Sequence, residues 1–278
     1  MQAAEQSPNT QRELLALLKW HVDMGLDEVV ADTPQDRFNA PPPQKKAVTA
    51  AKPEPTTDTQ PSAPVVRPMA TTPSGATPDE AIANAQNSAR SANTLDELRL
   101  TLENFAGCGL KNTAMNTILG AGAPDAEIMI IGRAPGPEDD RAGLPFQGPS
   151  GDLLDKMLAA IALNRDSNVY LTTALPWRPP GNRKPSEGEL AICRPFLLRQ
   201  IELVAPRILV LMGGMACAAV LGGNPAINGL RGKWQSVTIG DKVVNVMPSY
   251  HPDHLLQHPR AKKQAWHDLL EIKAKINE

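Results

Sequence analysis

The chain has 278 residues, enough for one good domain with a remainder or for two small ones. Apolar content is 41% and proline reaches 27 residues, so an ordered part is diluted by a proline-rich part; a formal net charge of −2 gives the whole chain no general affinity for polyanions. The three cysteines, Cys108, Cys193 and Cys217, have no paired spacing, which argues against a disulfide framework.

The opening stretch shows no basic-then-apolar leader, and no window approaches the ~18 apolar residues of a membrane span. These features predict a cytoplasmic protein. Charge is unevenly distributed. Residues 1–167 hold 14 Lys+Arg against 22 Asp+Glu, and residues 168–278 hold 14 against 8. The second part is therefore basic, as contacts to phosphates require; an ordinary solvated surface fits the same count.

Residues 12–32 place Leu14, Leu17, Leu18, Val22 and Leu26 at helical spacing, so residues 1–32 are expected to contribute an amino-terminal amphipathic helix. Docking on a partner protein and packing against the main domain both fit it. Eleven prolines fall between Pro34 and Pro78. Residues 33–76 cannot bury enough apolar surface to offset their ordering entropy and read as a disordered tether. Order is predicted to return at residue 77, where Thr77 can cap a helix with Pro78 in its first position. A second helix follows over 94–105.

From there strands and helices alternate. Strands are predicted at 127–132, 168–175 and 207–213. Helices are predicted at 150–163, 186–204 and 215–222. Two further strands, 234–239 and 242–248, precede a closing helix over 259–276. This alternation specifies an α/β domain over 77–278, a three-layer α/β/α arrangement around a mainly parallel sheet.

Sites in such sheets form beyond the carboxyl ends of the strands, where three unusual loops fall. The first runs from Gly132-Arg133-Ala134-Pro135-Gly136 to Phe146-Gln147-Gly148. Its small residues allow close backbone approach, its amides suit a carbonyl oxygen or an anion, and Phe146 offers a flat face. The second, Pro176 to Pro185, is stiff and carries Arg178, Arg183 and Lys184, which suits a phosphate clamp. The third, Met247 to Pro252, sets His251 at a strand end. Each has a plainer reading: a turn, a proline-rich connection, a structural histidine.

Together the three loops resemble the uracil-DNA glycosylase superfamily, and most of all its family 4. The family's Gly-Glu-Ala-Pro-Gly, Glu-Asp and Pro-Phe-Val-Gly elements stand here as Gly132-Arg133-Ala134-Pro135-Gly136, Glu138-Asp139 and Pro145-Phe146-Gln147-Gly148. Its Gly-x-Leu-Leu-Asp matches Gly151 to Asp155, and its Arg-Pro-Pro-Gly-Asn-Arg is present verbatim at 178–183. Cys193 to Leu197 matches Cys-x-Pro-Phe-Leu, and His251-Pro252-Asp253 stands at His-Pro-Ser. The resemblance covers residues 105–278.

It implies a monomeric DNA-repair hydrolase that flips uracil out of DNA and breaks its N-glycosidic bond, with uracil-containing DNA as partner. His251 would donate to uracil O2 beside amides near Arg133 and Ala134, with Pro135 and Gly136 shaping the loop. Phe146 would stack on the base. Asp139, or its neighbours Glu138 and Asp140, would orient water. Ser150, Arg178, Asn182, Arg183 and His254 would meet the DNA backbone, with His258, Arg260, Lys262 and Lys263 as a basic rim.

The departures are as informative. Of the family's four cluster-binding cysteines only Cys108 and Cys193 remain; Lys111 and Trp177 occupy the other two positions. Such a cluster needs four thiolates, so no iron-sulfur cofactor and no metal is expected. The motif glutamate is Arg133, which cannot act as a base but is free to pair with a phosphate, with the leaving base, or with Glu138 or Asp139; the base-reading asparagine is Thr173, which offers one hydroxyl in place of an amide. These losses keep an alternative open, a non-catalytic member that binds DNA or damage without cleaving it.

Overall fold

A computed structural model describes residues 77–223 and 225–278. The predicted amino-terminal helix and tether lie outside the described residues.

Two helices open the domain. Helix α1 (Pro78–Ser91) is capped by Thr77, whose hydroxyl accepts the Glu80 N–H while the Glu80 carboxylate accepts the Thr77 N–H. Helix α2 is Leu95–Asn104. A short strand β1 (Ala121–Gly122) leads into β2 (Ile128–Gly132), then helices α3 (Pro137–Ala142) and α4 (Gly148–Ala160). Strand β3 (Val169–Thr173) and helix α5 (Glu187–Val204) follow, then β4 (Ile208–Met212), α6 (Gly214–Leu221) and α7 (Ile227–Leu230). The chain ends with β5 (Gln235–Ile239), β6 (Lys242–Ser249), α8 (Pro252–Gln257) and α9 (Lys262–Ile276).

The six strands form one sheet in the order β1-β3-β2-β4-β6-β5. Strands β3, β2, β4 and β6 are parallel, and the antiparallel β1 and β5 close the two edges. The expected α/β class with a mainly parallel sheet therefore holds. The pleat sorts the strand residues between two cores. Ile128, Ile130, Leu171, Ile208 and Val210 pack with Leu154 and Leu158 of α4 and Leu269 and Ile272 of α9. Met129, Ile131, Leu209, Leu211 and Val246 pack on the other side with Leu197 and Ile201 of α5 and Ala216 and Val220 of α6. The central strands are buried at every position, as strands covered on both faces must be.

The chain leaves β2 for β3 on one side and returns to β4 on the other. The crevice beyond the carboxyl ends of β2 and β4 is thus the topological switch point, where α/β sheets hold ligands.

A third apolar cluster joins α1 and α2 to α5, and Trp177 lies at its centre. Its ring stacks near Phe105 at 6.5 Å and 10°, Phe105 meets Phe196 edge-on at 5.0 Å, and the indole N–H donates to Thr117 Oγ1 at 3.0 Å. Lys111 Nζ donates to the Glu103 and Phe105 carbonyls, tying the end of α2 to the following turn. Trp177→Ala is expected to cost about 3–5 kcal/mol through the cavity it leaves, read as a lower urea midpoint at unchanged m.

Candidate active site

The segments after β2 and β6, with Thr173 at the end of β3, border a cavity of about 260 Å³. Arg133, Ala134, Gly136, Asp139, Phe146, Ser150, Thr173 and His251, all singled out from sequence, border it. Pro135 is buried in the same loop without lining the cavity.

Phe146 and His251 face each other with ring centroids 5.5 Å apart and planes within 16°. Phe146 is a buried non-glycine residue at φ +54°, a backbone state that costs a bulky side chain of order 1–3 kcal/mol. Two contacts hold it there. Arg165, itself paired with Asp155, donates to the Phe146 carbonyl at 3.2 and 3.3 Å. Gly132 and Gly151 leave room: a Cβ on Gly132 would come within 2.7 Å of the phenyl ring, and one on Gly151 within 2.0 Å of the Phe146 carbonyl oxygen. Alanine for glycine inside a helix ordinarily gains ~1 kcal/mol. At Gly151 of α4 the sign reverses: Gly151→Ala is expected to lower stability by more than about 3 kcal/mol, measured by denaturant unfolding.

His251 caps α8, and its Nδ1 accepts the Asp253 backbone N–H at 3.2 Å. The neutral ring must then carry its proton on Nε2 as a donor. Burial, and secondarily the Arg133 guanidinium, push its pKa down to about 3, so the ring is neutral at physiological pH.

Arg133 forms an ion pair with Asp253, so its partner is neither Glu138 nor Asp139. Asp139 accepts the Gly136 N–H at 2.8 Å and the Gln147 N–H at 2.7 Å, one on each oxygen, and so laces the two halves of the first loop together. Burial raises its pKa against the effect of those two bonds. Asp140 turns away from the cavity: it accepts the Met115 and Asn116 amides and lies 3.8 Å from Arg178. Thr173 donates its hydroxyl to the Leu175 carbonyl at 2.6 Å, leaving only lone pairs for a ligand. The Ala134 N–H is taken by the Met215 sulfur at 3.2 Å, a weak acceptor.

Two of the three cations in the second loop have partners within the chain. Arg183 makes a bidentate pair with Glu189, at 2.8 and 2.6 Å, and Arg178 donates to Asn182 Oδ1 at 2.8 Å. Gly181 and Asn182 both adopt left-handed backbone at the tip. None of these three polar side chains borders the cavity, nor does His254, which packs at a tilt between Tyr250 and His258 with ring centroids 4.8 and 4.6 Å away. Gln147 and Asp253 do border the cavity and were missed as site residues. Their signal was adjacency, one next to Phe146 and the other two residues past His251.

The family model described as "Uracil DNA glycosylase superfamily" matches residues 119–270, more than half of the chain. The chain belongs to the uracil-DNA glycosylase superfamily. Among its relatives, a type-4 uracil-DNA glycosylase of Sulfurisphaera tokodaii is 35% identical over 65% of this chain and 84% of that protein. One of Archaeoglobus fulgidus is 34% identical over 64% and 92%, and one of Thermotoga maritima is 36% identical over 54% and 77%. As a glycosylase-superfamily member of the family 4 type, the chain departs from the pattern at the cluster position. Cys108 and Cys193 are both buried, with Lys111 and Trp177 in the remaining places. Their mutual hydrogen bond, followed by burial, pushes the Cys193 thiol well above its ordinary value. Two thiols, an ammonium engaged with carbonyls and an indole do not fit a four-thiolate cluster. Among the described residues no helix is long and apolar enough to cross a membrane.

Proposed function

We propose that this protein releases uracil from DNA by hydrolysing its N-glycosidic bond, without a cluster or metal and as a monomer. The observation that carries this reading is the near-parallel pair of Phe146 and His251 on the wall of one cavity. A flat base stacked on Phe146 would lie nearly parallel to the imidazole. Parallel planes are one requirement of an in-plane N–H···O bond from Nε2 to uracil O2. The base must first leave the DNA stack, at a cost of a few kcal/mol that is least for a mispaired base.

As the C1′–N1 bond breaks, the electron pair goes to the base and negative charge gathers on O2. A neutral donor held in place meets that charge without having to reorganise. The type-4 glycosylase relatives support the same reaction class. The second loop supports a role as a rigid ridge beside the DNA backbone, with Arg178 and Asn182 holding its shape and Lys184 exposed. His254, Ser150 and the cations after α8 complete the proposed DNA face, and Thr173 contributes an acceptor to the base edge.

The test is a uracil-containing oligonucleotide, single-stranded or paired as U:G, treated with the protein and then with alkali. Strand cleavage at the uracil position is expected, and intact strands on every uracil substrate refute the proposal. The replacement of the motif glutamate and asparagine by Arg133 and Thr173 favours a second reading, a DNA-binding member without catalysis. That protein would shift the same strand in a salt-dependent way and leave it intact.

A further inference from the structure

Four carboxylates lie near the cavity, and their surroundings separate them. Asp140 is buried against Met115 and Asn116 and faces away. Asp139 has one oxygen on the Gly136 amide and the other on the Gln147 amide, so its orientation serves the loop. Glu138 borders the cavity but is exposed, its stem lying over Gly148. Asp253 differs from all three. It borders the cavity, its side chain is about a quarter exposed, and its carboxylate is held by the Arg133 guanidinium from the opposite loop. One carboxylate oxygen lies 4.0 Å from His251 Nδ1. Arg133 follows the end of β2 and Asp253 lies at the start of α8, so the pair bridges the two segments that border the cavity.

We propose that Asp253 is the carboxylate that orients and deprotonates the attacking water, and that Arg133 is the residue that positions it. This rests on the glycosylase reading above. In the step, the C1′–N1 bond breaks first and its electron pair leaves with uracil. The water oxygen then bonds to C1′, and the proton it loses passes to the Asp253 carboxylate and on to solvent. Uracil takes up one proton, so the products are the free base and a sugar hydroxyl at C1′. Arginine at 133 keeps its proton throughout and serves only to hold the carboxylate.

The experiment measures single-turnover release from a single-stranded uracil oligonucleotide by the full chain and its variants. Asp253→Asn keeps the shape and the contact to Arg133 but removes the proton acceptor. Its rate constant is expected to fall by about 10²-fold. Its binding to a strand whose 2′-fluorinated deoxyuridine resists cleavage should stay within about threefold, a margin of under 1 kcal/mol. Asp253→Ala should regain rate when formate is added, a response that a merely structural ion pair does not give. Arg133→Lys should fall between wild type and Asp253→Asn. Asp253→Asn turning over at the wild-type rate, or Asp253→Ala unmoved by formate, overturns the assignment and leaves the glycosylase reading standing. A wild-type protein that releases no uracil overturns both.

Discussion

Replacing His251 with alanine is expected to lower uracil release by about 10²–10³-fold, the loss that follows removal of one preorganised donor to a developing anion. The tautomer makes this specific. With Nδ1 accepting the Asp253 amide, only Nε2 can donate toward the cavity. The variant also loses the cap on α8, so its stability should fall by about 1 kcal/mol. That is too little to unfold most domains, and the rate loss should therefore appear with DNA binding retained. The same residue sets a pH dependence. Burial holds its folded pKa at about 3, whereas an unfolded histidine titrates near 6.5. Below about pH 6.5 the unfolded chain binds a proton that the folded protein refuses. Stability present at neutral pH is therefore lost progressively as pH falls toward 3. Urea unfolding at pH 7 and pH 5 should show a larger drop for wild type than for His251→Ala, and equal drops would contradict a neutral buried imidazole. Because the ring stays neutral across that range, its titration should not reduce the rate of release between pH 7 and pH 5.

The second large effect falls on Phe146. Its ring is buried in the core that joins β2, β4 and α4, so Phe146→Ala is expected to cost about 3–5 kcal/mol. Alanine inherits the left-handed backbone and gains nothing from the smaller side chain there. Phe146→Leu separates packing from chemistry, since leucine keeps much of the volume but offers no flat face. Stacking of a base on an aromatic ring contributes about 1–3 kcal/mol. Phe146→Leu should therefore weaken binding of a non-cleavable uracil strand by roughly 5- to 150-fold while its urea midpoint stays closer to wild type than that of alanine. Equal affinity of wild type and Phe146→Leu for that strand would remove the stacking role.

The sheet was legible because its strands are apolar at consecutive positions and bounded by turns. Ile128–Gly132, Val169–Thr173 and Ile208–Met212 each fall inside a predicted strand. What escaped were the short elements. Helix α3 is six residues rich in acids, and α7 has four, too few for an apolar stripe to repeat. Strand β1 is two residues long and exists because β3 offers it an edge. At the site, the three loops and their aromatic and imidazole groups could be read from type and position. The pairings could not. Arg133 and Asp253 stand 120 positions apart, and either one alone looks like a surface charge. Arg183 was legible as an exposed cation, but its pairing with Glu189 was not. Arg165 gives no signal at all, lying in a helix-to-strand connection, yet it holds the carbonyl of the strained Phe146. Long-range charge pairing depends on the fold, which local spacing does not encode.

The most direct measurement is a crystal structure of the protein with a single-stranded oligonucleotide bearing non-cleavable 2′-fluorinated deoxyuridine. The everted base should lie against Phe146, nearly coplanar with the His251 ring, with O2 within hydrogen-bond distance of Nε2. A base seated elsewhere, or a strand bound with uracil still stacked and the cavity lined by Phe146 and His251 unfilled, would contradict the account.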